Sequence, residues 1–164
     1  MKYRRLTQEQ LEELHQEFIT FLATQSITGD EWEKIKKEKP QVAEDELDIF
    51  SDLVWERVLT SAQYLEHISP QTMNLFELQE KQMSLISIIV GDDKIDITTS
   101  TGYQWLQKNL MDEEVKIFTA NKSYGEDANA DKFKLIETGA SITKGDLYRY
   151  FDDLMEMGNE KNGF

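Results

Sequence analysis

Apolar residues in the stretch Glu44 to Leu65 recur every three or four positions, at Leu47, Phe50, Val54, Val58, Ala62 and Leu65. This spacing predicts a helix. At about 100° per residue, Leu53, Trp55 and Leu59 widen the stripe past half the circumference and leave a narrow polar strip, so the helix is expected to be central to the fold. Two further helices are predicted ahead of it. Leu6-Thr7-x-x-Gln10-Leu11 reads as an N-cap, capping box and hydrophobic staple opening a helix from Gln8 to Ala23. Its inward face is Leu11, Leu14, Phe18, Phe21 and Leu22. Ile27-Thr28-x-x-Glu31-Trp32 repeats the device and opens a helix that ends near Lys39, because Pro40 disfavours helical geometry in the residue before it.

The pattern changes after Ser69-Pro70. The β-branched run Met83 to Val90 predicts a strand ending at Gly91-Asp92-Asp93, and the alternating Lys94 to Thr98 is expected to pair with it across that turn. Residues 73–78 are ambiguous between strand and helix by period and are read as a hairpin strand. Thr98 to Thr101 precede a short capped helix, Tyr103 to Leu110, and Val115 to Ala120 predict another strand. Near the C-terminus, Ile142-Thr143-x-x-Asp146-Leu147 reads as a third staple-and-cap start, with Leu147, Tyr148, Phe151, Leu154 and Met155 as the packing face. Helices, then strands, then helices imply an α+β fold: N-terminal helices around a central helix, a small largely antiparallel sheet and a C-terminal helix. We expect one globular domain over residues 1–157 and a flexible tail over 158–164.

Composition narrows the function classes. The 164 residues include no cysteine, which removes disulfides, thiolate chemistry and Cys-based zinc sites and favours a reducing compartment. The N-terminus is basic without an apolar run behind it, and no later run is long enough to span a bilayer, so the expected location is cytoplasmic. The formal net charge of −14 opposes phosphate backbones and anionic lipid surfaces, so neither nucleic acid nor membrane is an expected partner. Residues 41–70 carry one cation, Arg57, against seven carboxylates. Asp45, Asp48, Asp52 and Glu56 cluster on the polar strip of the central helix and are the candidate partner-binding surface, for a protein whose identity the sequence does not give.

Catalytic and cofactor motifs are missing: no P-loop, no G-x-G-x-x-G, no G-x-S-x-G and no H-E-x-x-H. No cofactor, metal or catalytic residue is assigned. Asp127, Asn129 and Asp131 have the spacing of calcium-loop positions 1, 3 and 5, but Lys132 stands where the loop needs Gly and Thr138 where it needs Glu. His15 and His67 have no sequence reason to meet. The oligomeric state is open. A non-enzymatic interaction or accessory domain is the expected function; the alternative is a small enzyme or ligand-binding domain with a site of dispersed carboxylates and aromatics.

Two resemblances go beyond this reading. Thr138 to Phe151, TGASITKGDLYRYF, is locally similar to the turn and recognition helix of the tetracycline-repressor family, but Ile142-Thr143 add two residues to the turn and the segment lies at the opposite end of the chain. The capped-helix reading is therefore preferred. Met1-Lys-Tyr-Arg-Arg-Leu6, Phe21 to Thr28, Tyr64 to Pro70, Gln104-Trp-Leu106 and Ile142-Thr-Lys-Gly145 together resemble a family of short uncharacterised bacterial proteins, a domain of unknown function. That resemblance implies no activity, cofactor or site residue.

Overall fold

The structure is a computed structural model and describes residues 1–161. Among the described residues it is α+β, with seven helices and one five-stranded antiparallel sheet. It divides into two compact units, Met1–Thr60 and Ser61 onward.

The first unit is helical: α1 (Gln8–Glu13), α2 (His15–Thr24), α3 (Gly29–Glu38) and α4 (Pro40–Ser61). Both capping boxes form. Thr7 Oγ1 accepts from the Gln10 amide at 3.2 Å while Gln10 Oε1 accepts from the Thr7 amide at 2.9 Å, and Thr28 and Glu31 repeat the pair at the same distances. The single helix expected over Gln8–Ala23 is broken at Leu14, whose ψ of 21° turns the chain although neither Gly nor Pro marks the place. Four aromatic rings form the centre of this unit. Phe18 meets Trp32 edge-on at 5.2 Å and Phe50 at 5.1 Å, and Phe21 lies 5.4 Å from Phe50.

The central helix ends at Ser61, four residues before the expected Leu65. Ala62 and Leu65 continue the helical spacing, but Tyr64 to Ser69 form strand β1, in which Leu65 is buried. The inward face of α4 is also rotated from the expected one: Phe50, Ser51, Trp55 and Leu59 are buried, whereas Val58 is 40% exposed. Ser51, a polar residue with no exposed surface, fits because its hydroxyl donates to Leu47 O at 2.7 Å and accepts from the Leu6 amide at 3.1 Å.

The second unit holds the sheet, β1 with β2 (Thr72–Leu78), β3 (Gln82–Val90), β4 (Val115–Ser123) and β5 (Ser141–Thr143), in the order β4-β3-β2-β1-β5. Residues 73–78 are thus strand. Lys94 to Thr98 are not: β3 pairs instead with β2 and β4. Asp92 and Asp96 each accept a hydrogen bond at 2.9 Å from the amide two residues on, local turns that divert the backbone, and Ile95 and Ile97 pack into the core from a loop.

One face of the sheet supports α5 (Ser100–Lys108) and α7 (Asp146–Lys161), with Met73, Leu75, Ile86, Ile88, Leu106, Tyr148 and Phe151 as the core. The other meets α6 (Ala128–Glu137) near Leu65, Leu78 and Met83. Helix α7 presents the expected packing residues but starts two residues later than a Thr143 cap requires. Residues 141–143 are an edge strand on β1, so the segment has no helix–turn–helix form, and Thr143 Oγ1 accepts from the Gly145 amide at 3.2 Å. The tail expected from residue 158 is helical as far as Lys161; residues 162–164 of that tail lie outside the described residues.

These caps separate two variants. Thr28→Ala is expected to cost about 0.5–2 kcal/mol through loss of a true N-cap. Thr143→Ala is expected to cost less. Denaturant midpoints measured side by side check this order.

Candidate functional site

The acidic strip of α4 is occupied by the chain's own N-terminus. Asp48 accepts from Arg5 Nε at 2.7 Å, and Asp52 accepts from the backbone amides of Lys2 and Tyr3 at 2.7 and 2.9 Å. Glu56 pairs with Lys2 Nζ at 3.0 Å and accepts from the Tyr3 hydroxyl. Arg5 also pairs with Glu44. Asp45 stands apart and accepts from Gln41 Nε2 at 3.0 Å. Burial, followed by the bond to Glu56, pushes the Tyr3 hydroxyl up to about 12. Three of the four candidate residues therefore anchor residues 2–5, and the basic segment Lys2 to Arg5 is the complement that sequence reading left unassigned.

The calcium-like spacing is used locally as well. Asp127 caps α6 by accepting from the Ala130 amide at 3.2 Å, and Asp131 accepts from the Gly125 amide at 2.7 Å. No group of three or more His, Asp or Glu side chains among the described residues is arranged to hold a metal ion. His15 opens α2, and His67 lies on β1.

A different site emerges from the register of the sheet. Thr143 on β5 stands opposite Tyr64 on β1, Tyr64 opposite Glu77 on β2, Glu77 opposite Ser84 on β3, and Ser84 opposite Asn121 on β4. Directly opposed residues of antiparallel strands share a face. A polar row therefore crosses all five strands on the face that carries α7. The next row inward holds Leu75 and Ile86, both fully buried.

Helix α7 lies over this row because Gly145 lets it. With φ +84°, Gly145 packs so tightly on Tyr64 that a Cβ there would sit 2.4 Å from the ring. The start of α7 then places Tyr148 with its ring 5.8 Å from that of Tyr64, and the Arg149 guanidinium 5.3 Å from the Tyr64 ring. The Tyr64 hydroxyl donates to Glu77 at 3.3 Å, and Ser84 Oγ donates to Asn121 Oδ1 at 2.7 Å. Tyr148 is 8% exposed; burial chiefly, then the charges of Glu77 and Asp152, push its hydroxyl above the usual tyrosine range, so it stays a protonated donor.

Between α7 and β3–β4 this leaves an open cleft of about 600 Å³. Ser84, Thr119 and Asn121 form its polar floor, Tyr148, Asp152 and Glu156 its wall, and Ile86, Ile117 and Met155 its apolar lining. Among the described residues, two carboxylates and no cation line it. In the first unit a separate groove of about 740 Å³ runs between α2 and α4 past Phe21, Leu53, Val54 and Val58, and is mainly apolar. The α7 cleft brings a hydroxyl, an amide, a tyrosine and two carboxylates onto one volume, the usual form of a binding site.

Residues 1–156 match DUF6495, a family of unknown function. The chain belongs to that family. The match spans both compact units and agrees with the resemblance carried by the separated sequence blocks. No curated protein matches the chain, and no solved structure matches it. The family supplies no activity, so the geometry carries the functional reading. Among the described residues no helix is long and apolar enough to cross a membrane.

Proposed function

We propose that this protein is a non-enzymatic binding domain whose α7 cleft takes a cationic, hydrogen-bonding group, such as a lysine or arginine side chain of a protein partner. The observation that carries the reading is the β3–β4 end of the polar row, Ser84 and Asn121, faced by Tyr148, Asp152 and Glu156 with no cation among the described lining residues. Carboxylates and an amide oxygen supply acceptors for an ammonium or guanidinium, and the apolar lining of Ile86, Ile117 and Met155 suits an aliphatic stem. The −14 net charge adds attraction at long range, which speeds encounter with a basic partner. A small neutral ligand rich in hydroxyls is the second reading, supported by the Ser84–Asn121 pair and the Thr119 hydroxyl. A cytoplasmic setting, without a role for membrane or nucleic acid, belongs to the same proposal.

Titration of labelled protein with tri-arginine and tri-lysine peptides tests it by NMR. Amide shifts are expected to concentrate at Ser84, Asn121 and Asp152. Asp152→Asn with Glu156→Gln is expected to weaken binding about tenfold, the effect of one charge-assisted hydrogen bond, with an unchanged melting temperature. Shifts scattered over the acidic surface, or equal affinity in the double variant, would overturn the reading.

A further inference from the structure

Strand β4 is an edge of the sheet, nine residues long, and Lys116 to Ser123 are exposed along all of it. Its backbone phase follows from two hydrogen bonds at its ends: the Gly91 amide donates to Glu114 O at 2.7 Å, and the Tyr124 amide donates to Lys81 O at 3.3 Å. Both pairs keep the β3–β4 register, so the even-numbered residues of β4 bond to β3. Val115, Ile117, Thr119, Asn121 and Ser123 then turn their N–H and C=O groups away from the sheet. An edge of this length and apolar content is a template for another strand, and folded proteins blunt such edges with charge, bulges or cover. Here the ladder runs without a bulge, and the strand's two lysines, Lys116 and Lys122, lie on one face with Phe118, which is 51% exposed.

We infer that β4 pairs antiparallel with β4 of a second copy of this chain, joining two sheets about a two-fold axis at Phe118. The charge pattern selects this register. Centred on Phe118, the pairing sets Glu114 opposite Lys122 twice, once on each side of the axis, and Phe118 against its counterpart. Centred on Thr119, it sets Lys116 opposite Lys122 twice, and like charges directly opposite are destabilising. Neither Glu114 nor Lys122 makes an ion pair among the described residues; the Glu114 carboxylate lies beside Gly91, and turning it outward from there brings it to the cross-strand contact. Phe118 is an even-numbered residue and falls at a non-hydrogen-bonded pair, where opposed side chains approach most closely. The general repulsion between two acidic chains is screened beyond about 8 Å at physiological salt, whereas the strand contacts are direct. Ile117 and Thr119 of β4 also line the α7 cleft, so pairing brings the second copy's strand alongside the cleft floor. The inference stands on the strand edge alone and does not rest on what the cleft binds.

Sedimentation equilibrium at 0.15 M salt tests it with the wild type, Glu114→Lys, Lys122→Glu and the double swap. The wild type is expected to dimerise. Each single swap sets like charges opposite one another at both ends of the junction and is expected to weaken the dimer about tenfold; the double swap restores opposite charges and is expected to return to within about threefold of wild type. Hydrogen exchange on the same samples is expected to slow at the Ile117, Thr119 and Asn121 amides as dimer forms. A wild type that stays monomeric at about 100 µM, below which a specific dimer of micromolar affinity would be populated, overturns the inference. So does a dimer indifferent to the swaps.

Discussion

Phe50→Ala is expected to cost about 3–5 kcal/mol, the usual range for truncating a buried aromatic to alanine. Phe50 is 4% exposed and touches both Phe18 and Phe21, while Phe18 carries the contact on to Trp32. Removing the ring leaves a cavity where α2, α3 and α4 meet, and ring-to-ring contacts of this kind add to the area term. A domain has about 5–15 kcal/mol of total stability, so a loss of this size leaves the helical unit close to unfolding. Val58→Asp is the informative comparison. The hydrophobic stripe alone makes Val58 a mid-face core residue whose replacement by a carboxylate unfolds the protein, but Val58 is 40% exposed, and exposed substitutions generally stay within about 0.5 kcal/mol. Thermal melting followed by Trp fluorescence and by circular dichroism is expected to show a large drop for Phe50→Ala and a small one for Val58→Asp. The reverse order would place the inward face of α4 at Val58.

Gly102→Ala is expected to destabilise the second unit by at least about 1–3 kcal/mol, the cost of forcing extra volume into a packed site. Helix propensity gives the opposite sign, since alanine inside a helix is favoured over glycine by about 1 kcal/mol. Packing wins because a Cβ on Gly102 would lie 1.8 Å from the backbone oxygen of Asp96 and 2.4 Å from its carbonyl carbon. That backbone has little freedom to withdraw. Asp96 O accepts from the Thr99 amide at 3.1 Å and from Thr99 Oγ1 at 2.7 Å, and the next residue, Ile97, donates its amide to Pro70 O at 2.9 Å. Gly102 also donates its amide to the Thr99 cap at 3.0 Å, so a shift of the helix start breaks the cap as well. Urea midpoints decide the sign. A midpoint raised by the alanine would mean that the Asp96 loop yields and propensity governs.

Local chemistry was legible in the amino-acid sequence wherever a structure depends on residues a few positions apart. The capping boxes at Thr7–Gln10 and Thr28–Glu31, the strand Met83 to Val90 and the packing face of the last helix follow from such short-range patterns, as does the α+β class. Period alone misplaced several segments. Ala62 and Leu65 satisfy a helical period and are buried, but they are buried outside α4, in a short connection and a strand, because burial constrains both periods alike. Ile95 and Ile97 alternate as in a strand, yet Asp92 and Asp96 fold their backbone into turns.

Pairings between distant residues were decided only by the tertiary structure. The sequence places four carboxylates on one side of α4, but that Lys2, Tyr3 and Arg5 cover three of them depends on the path of a chain separated from the strip by more than forty residues. The cleft is the stronger case. Each of Thr143, Tyr64, Glu77, Ser84 and Asn121 is unremarkable in its own segment, and only the strand register sets them in one row. A strand's alternation states which residues share a face; a shift by one residue against its neighbour would exchange that face for the other, and no local pattern records the choice. The sequence alone determined the two capped helix starts, the strand over 83–90, the α+β class and the sign of the net charge. The tertiary structure decided which polar groups converge, because convergence depends on register and on the close approach that Gly145 permits over Tyr64.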